Sequence, residues 1–136
     1  VKNHSELLRE SGLKATIQRL SILEILQGTG HSTIDDIYVT VREKHASISL
    51  ATVYKNIEML LEKGVLAEVP LAGRKSKYEI KKHDHIHLIC QVCGSVEDET
   101  MDAIPQEQLT RIAQKDDFIL SQSQINLYGI CRNCRQ

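Results

Sequence analysis

Ser49-Leu50-Ala51-Thr52-Val53-Tyr54-Lys55-Asn56-Ile57-Glu58-Met59-Leu60-Leu61-Glu62-Lys63-Gly64 is the stretch on which the fold turns. Val53, Ile57, Leu60 and Leu61 recur at helical spacing and form one apolar stripe. Ser49 supplies a hydroxyl cap ahead of the first turn, and Gly64 supplies the stop. Ala51, Tyr54, Lys55 and Glu58 share another face. A small alanine beside a tyrosine and a lysine suits a major groove, where alanine or tyrosine meets a thymine methyl and lysine meets phosphate or guanine. The plainer reading of the same face is a solvated surface with one scattered aromatic.

Working upstream, Thr33 caps a helix carrying Ile34, Ile37, Tyr38 and Val41. Thr16 caps one over Ile17–Gln27, with Leu20, Leu23, Ile25 and Leu26 as its stripe and Gly28-Thr29-Gly30 as its end. Leu7 and Leu8 belong to a shorter amphipathic segment that stops near Gly12. Downstream, Val65–Leu71 and Lys77–Ile80 alternate as strands around a turn at Ala72-Gly73-Arg74. Helices followed by a two-stranded hairpin give the order of a winged helix-turn-helix, placed at residues 1–80.

A different composition begins near Lys81, rich in His, Cys and acidic residues. Ile86–Gln91 and Ile125–Ile130 read as strands, and Pro105 opens a helix to about Lys115. The fold class expected is α+β: a winged helix-turn-helix, a hinge at about 79–84, and a smaller α/β domain over 85–136.

All 4 cysteines fall in two CxxC pairs, Cys90/Cys93 and Cys131/Cys134, separated by 37 residues. Two intervening residues let both thiolates turn onto one ion, and two pairs complete a tetrahedral, structural zinc site. Two redox motifs or buried free thiols are the alternative, but no βαβ pattern frames either pair. Just ahead lies His83-Asp84-His85-Ile86-His87. Alternate residues of a strand share a face, and imidazole suits zinc, iron, copper or nickel. A solvated histidine cluster is the other reading.

The chain has 136 residues, 17 Lys and Arg against 18 Asp and Glu, and a net charge of -1. Residues 1–80 hold 11 basic and 10 acidic side chains, a balance of +1; the remainder hold 6 and 8, a balance of -2. That balance neither supports nor excludes a nucleic-acid partner, and a bound divalent cation would add charge the count omits. No run approaches the roughly 18 apolar residues of a membrane span. Val1–Glu10 carries no signal-peptide pattern, so a cytoplasmic location is expected.

These features resemble the ferric uptake regulator (Fur) superfamily. Gly12-Leu13-Lys14-Ala15-Thr16, with Gln18 and Arg19, is similar to its N-terminal signature, and Ile48–Asn56 to its recognition helix. His85-x-His87-x2-Cys90-x2-Cys93-Gly94 and Leu127-Tyr128-Gly129-x-Cys131-x2-Cys134 are similar to its metal motifs. The resemblance spans nearly the whole chain, in order. It implies a homodimeric repressor of palindromic operator DNA, not an enzyme, with Lys14, Arg19, Ser49, Ala51, Thr52, Tyr54 and Lys55 toward DNA. It also implies a regulatory Fe2+ or Mn2+ site made by His31, Glu79, His85, His87 and Asp98, beside the structural Zn2+ of the four cysteines.

Within the superfamily, the peroxide-sensing branch carries aspartates at both carboxylate positions and the iron-uptake branch glutamates. This chain has Glu79 and Asp98. The aspartate accompanies iron-catalysed oxidation of the histidine ligands, so peroxide sensing is expected; an iron-responsive repressor of uptake genes is the alternative. Ile86 and Ser123 stand where the iron-uptake branch places ligands of a further site, and no cysteine is spare for a dedicated zinc sensor. His83 has no assigned role. Outside the superfamily, a dithiol redox enzyme and a zinc protein without DNA binding are the competing classes. Chelation resistance, disulfide turnover and operator preference at stated salt separate them.

Overall fold

The computed structural model describes residues 3–71, 73–82 and 85–135, with the side chain of Ala103 left out. Ala72 of the expected wing turn and His83 and Asp84 of the histidine run lie outside the described residues. The chain divides into two compact units, Val1–Lys81 and Lys82–Gln136.

In the first unit, α1 (His4–Glu10), α2 (Ile17–Thr29), α3 (Ile34–Lys44) and α4 (Leu50–Glu62) precede β1 (Leu66–Val69) and β2 (Lys77–Ile80). Each helix starts where a side-chain oxygen replaces a missing intrahelical acceptor. Asn3, Thr16, Thr33 and Ser49 accept from the backbone N–H of Glu6, Arg19, Asp36 and Thr52. α2 outruns its expected end: Gly28 and Thr29 stay helical, and the chain turns only at Gly30, whose φ of 82° is left-handed. Ile22 is buried beside Leu23 and Leu26, while Leu20 and Ile25 are half-buried. Leu61 of α4 is also half-buried.

β1 and β2 pair antiparallel from Leu66↔Ile80 to Val69↔Lys77. β1 is shorter than the alternation suggests because Pro70 has no N–H for the ladder. A short bridge joins Ser32 to β2, with Tyr78 N–H to Ser32 O at 2.8 Å and Ser32 N–H to Tyr78 O at 3.1 Å. That bridge holds the segment containing His31 alongside Glu79. The core is aliphatic: Leu8, Ile22, Leu23, Leu26, Ile37, Val41, Val53, Ile57 and Leu60 close on one another. Lys75 Nζ donates to Asp35 Oδ2 at 2.6 Å, tying the wing to the start of α3.

The second unit is a three-stranded sheet in the order β4-β3-β5. β3 (His85–Cys90) runs antiparallel to β4 (Val96–Thr100) and parallel to β5 (Ile125–Gly129). β4 has no counterpart in the sequence reading, because Val-Glu-Asp-Glu-Thr is poor in strand-forming residues; pairing with β3 overrides that. α5 (Gln106–Gln114) follows Pro105, which has φ -60° and ψ 133° and so occupies the capping position rather than the first helical one.

The turn that follows α5 places a residue in a conformation it does not favour. Phe118 N–H reaches Ala113 O at 3.0 Å and Asp117 N–H reaches Gln114 O at 3.1 Å, a left-handed helix end. Asp117 holds φ at 53°, where glycine is at ease. Relief of left-handed strain, less the entropy that glycine loses on folding, is expected to make Asp117→Gly stabilising by about 0.5–1 kcal/mol. Thermal melts at fixed zinc should show a rise of a few degrees; an unchanged or lowered midpoint contradicts the assignment.

Candidate metal centres and nucleic-acid interface

The first constellation is built by the ladder of β3 and the turn after it. Cys90 N–H donates to Ser95 O at 3.0 Å and Gly94 N–H to Cys90 O at 2.9 Å, folding Cys90–Gly94 into a knuckle. Gly94 carries φ 78°, which lets the chain return over the cysteines. Parallel pairing of Cys90 with Gly129 brings the second CxxC alongside, and Gln91 N–H to Gly129 O at 2.8 Å extends the ladder.

The Sγ atoms of Cys90, Cys93, Cys131 and Cys134 all lie within 4.8 Å of one another. Zn–S bonds of about 2.3 Å in a tetrahedron imply S–S edges of about 3.8 Å. Cys93 and Cys131 have their Sγ atoms 3.8 Å apart. Backbone N–H groups of Cys93 and Cys131 point at Cys90 Sγ, at 3.5 and 3.3 Å. They hold its thiol down at about 6, whereas hydrogen bonding to the neighbouring thiols, Cys131 foremost, and burial push Cys134 up to about 12. Four sulfurs this close ionise together only around a cation, so the donor set fits zinc.

The second constellation stands on β3 and β4. His85 and His87 project to one side, with their Nε2 atoms 2.8 Å apart and the rings edge to face. His87 pairs in register with Asp98 of β4, whose Oδ1 lies 3.5 Å from His85 Nε2 and 3.6 Å from His87 Nε2. The other oxygen of Asp98 accepts from Lys82 Nζ at 2.7 Å. His87 is 1% exposed, and its Nδ1 lies 3.0 Å from Asn126 Oδ1 on β5. Two imidazole nitrogens and a carboxylate oxygen form a thiol-free set suited to a divalent first-row metal.

In the first unit, His31 Nε2 lies 2.8 Å from Glu79 Oε2. Glu79 is 2% exposed. A carboxylate buried in an aliphatic unit needs a partner of opposite charge or a donor, and His31 stands in that place.

On the DNA-reading candidates, the structure separates the exposed from the engaged. Ala51, Tyr54 and Lys55 are exposed along α4, and Lys14 is exposed in the loop before α2. Ser49 Oγ caps the helix and sits 2.9 Å from Thr52 Oγ1. Arg19 is drawn inward: its Nε donates to Asn56 Oδ1 at 3.2 Å and its Nη1 to Lys14 O at 3.0 Å. Lys82, Asn56 and Asn126 were not marked by sequence reasoning, because each contact depends on tertiary placement rather than on a local motif.

A winged helix followed by a cysteine- and histidine-bearing sheet defines the class of metal-responsive, winged-helix transcriptional regulators. The model of the ferric uptake regulator family matches residues 10–128, and the chain belongs to that family. The peroxide operon regulator of Bacillus subtilis is 35% identical over 136 residues, 98% of this chain and 92% of its own. The peroxide stress regulator of Campylobacter jejuni superposes with a TM-score of 0.80 at 35% identity, covering 98% of this chain and 100% of its own. The ferric uptake regulator of Pseudomonas aeruginosa, solved with manganese, gives 0.75 at 28% identity, covering 97% and 99%.

Among the described residues, no helix is long and apolar enough to cross a membrane.

Proposed function

We propose that the protein is a peroxide-sensing transcriptional repressor that binds palindromic operator DNA as a homodimer while its regulatory metal is in place. The observation that carries this reading is the thiol-free convergence of His85, His87 and Asp98, in a chain similar to known peroxide regulators.

His31 and Glu79 complete the ligand set, as the family pattern implies. Three neutral imidazoles and two carboxylates neutralise a divalent ion. Their division between the residue 1–81 unit and the residue 82–136 unit makes metal binding a means of fixing the two together. Fixed spacing between two recognition helices is what operator half-sites demand. The dimer is supported by the second unit's exposed apolar side chains, among them Ile112, Phe118, Ile119, Leu127 and Ile130. α5 buries no described residue within the single chain, so its apolar face suits a second copy. Ala51, Tyr54 and Lys55 enter the major groove. The hydroxyl-lined start of α4 and Lys14 meet the phosphate backbone.

Iron, when bound, supplies the chemistry that makes hydrogen peroxide react with a ligand imidazole. One C–H of His31 or His85 gains an oxygen, and peroxide, reduced by two electrons, leaves as water. The altered ring is a poor ligand, the metal clamp is lost, and DNA is released. Mn2+ supports operator binding without this reaction.

Mild peroxide is therefore expected to add the mass of one oxygen atom to the peptide of His31 or His85 in the iron-loaded protein, with operator binding lost in step. The manganese-loaded protein stays unmodified and bound. Unmodified histidines with DNA binding retained would refute peroxide sensing and favour the alternative, an iron-responsive repressor that releases DNA only as iron dissociates.

A further inference from the structure

We infer that Asn126, on β5, is a positioning residue for the regulatory metal: its amide oxygen fixes the tautomer of His87 and so presents the Nε2 lone pair as a ligand. The inference rests on the reading of His85, His87 and Asp98 as that metal's ligands.

The register makes the contact. β5 lies parallel to β3, and Asn126 is the partner of His87 in the ladder, as Asp98 is on the opposite side. Three neighbouring strands thus place Asp98, His87 and Asn126 in one row across the sheet. Asn126 Oδ1 lies 3.0 Å from His87 Nδ1. An amide oxygen only accepts, so Nδ1 must carry the proton. In a neutral imidazole the other nitrogen is then bare, and that nitrogen, Nε2, faces His85 Nε2 at 2.8 Å and Asp98 Oδ1 at 3.6 Å.

With His87 1% exposed, water is poorly placed to take over this task. A ring left to choose would place its proton on either nitrogen, and a proton on Nε2 blocks coordination. Ligating histidines elsewhere rely on such an acceptor behind the ring, and losing it typically weakens metal binding about ten- to a hundredfold.

The contact has a second consequence. Asn126 lies on the strand that leads through Leu127, Tyr128 and Gly129 to Cys131, and Gly129 is held to β3 beside Cys90. Closing the four-cysteine site holds β5 in register, and the register brings Asn126 to His87. The structural ion thereby supports the regulatory one without touching it.

The test uses the zinc-loaded 136-residue chain and Mn2+ as the probe. Asn126→Leu is expected to keep its zinc and to bind Mn2+ about ten- to a hundredfold more weakly; Asn126→Asp, which keeps an acceptor, restores binding to the unchanged level or above. Before manganese is added, long-range proton–nitrogen NMR should find His87 protonated at Nδ1 in the unchanged protein and shifted toward the Nε2–H form in Asn126→Leu.

Manganese affinity within twofold of the unchanged protein in Asn126→Leu, or an Nε2–H tautomer in the unchanged protein, overturns the inference. If Asn126→Leu also loses zinc, Asn126→Asp decides alone, and an affinity loss there overturns it. His87→Ala separates the two readings. If that variant binds Mn2+ as the unchanged protein does, the ligand assignment itself fails; if it does not while Asn126→Leu does, only the role of Asn126 fails.

Discussion

Cys90→Ser is expected to cost the protein its zinc and, with it, the ordered sheet of residues 85–129, while the helical unit stays folded. The reason lies in how little else holds that sheet. Its buried side chains among the described residues are Ile86, His87, Ile89 and Cys90. The first unit, by contrast, closes Leu8, Ile22, Leu23, Leu26, Ile37, Val53 and Leu60 into a continuous aliphatic core. Apparent zinc binding by small four-ligand domains is about 10–16 kcal/mol near neutral pH. That matches or exceeds the entire stability of an ordinary domain, about 5–15 kcal/mol. Cys90 Sγ also accepts from the N–H groups of Cys93 and Cys131, at a reach set by its longer bond to carbon.

Zinc content and segment-resolved hydrogen exchange on the full chain check this together. The expected outcome is less than one zinc per ten chains, with rapid exchange over β3–β5 and protection retained in α2–α4. One zinc per chain with native protection in Cys90→Ser would show that the cysteines do not act as one site. The pH dependence has a fixed sign. Each thiol must shed its proton to bind the ion, and hydrogen bonding to the neighbouring thiols pushes Cys134 up to about 12 without metal. Zinc affinity therefore rises with pH, and acidification releases the metal.

Much of this architecture was legible because the signals were local. Thr16, Thr33 and Ser49 announce helix starts within four residues, and each cap forms as read. The CxxC pairs carry their chemistry in their spacing, although only the parallel β3–β5 ladder brings them together. Strand β4 was not legible, since acidic residues argue against a strand until β3 is there to pair with it. The same dependence hid the partners of Asp98 and His87. Lys82 is 16 residues from Asp98 and Asn126 is 39 from His87, and no periodicity relates residues that far apart. His31 and Glu79 needed the bridge between Ser32 and Tyr78, a contact of two residues with no sequence signature. The family resemblance implied both as metal ligands, and the structure brings the two side chains within 2.8 Å of each other.

His87→Ala is expected to uncouple DNA binding from metal while leaving zinc in place. The wild-type side chain occupies the centre of the row formed by Asp98, His87 and Asn126, and its Nε2 meets both His85 and Asp98. Removing it leaves Asp98 held by Lys82 through a 2.7 Å contact, a pairing that opposes rather than recruits a cation. Coupling between two ligands is a difference in free energy between two states of the protein, typically worth about 5- to 150-fold in affinity, and it is reciprocal. If metal favours the DNA-competent arrangement, Mn2+ should tighten operator binding by a factor in that range, and operator should tighten Mn2+ by the same factor. The experiment takes duplexes selected from a random pool by manganese-loaded protein and measures affinity at one fixed salt concentration, because phosphate contacts are strongly salt-dependent. In His87→Ala the manganese-dependent gain should vanish, and affinity should settle at the wild-type value without manganese. Tyr54→Ala supplies the opposite dissociation: manganese still binds, but the selected sequence loses its advantage over random duplex, as follows from the proposal that the exposed ring on α4 reads the operator. A His87→Ala protein that still gains operator affinity from manganese would mean that the metal acts elsewhere. The His85–Asp98 row would then be a structural polar cluster rather than the switch.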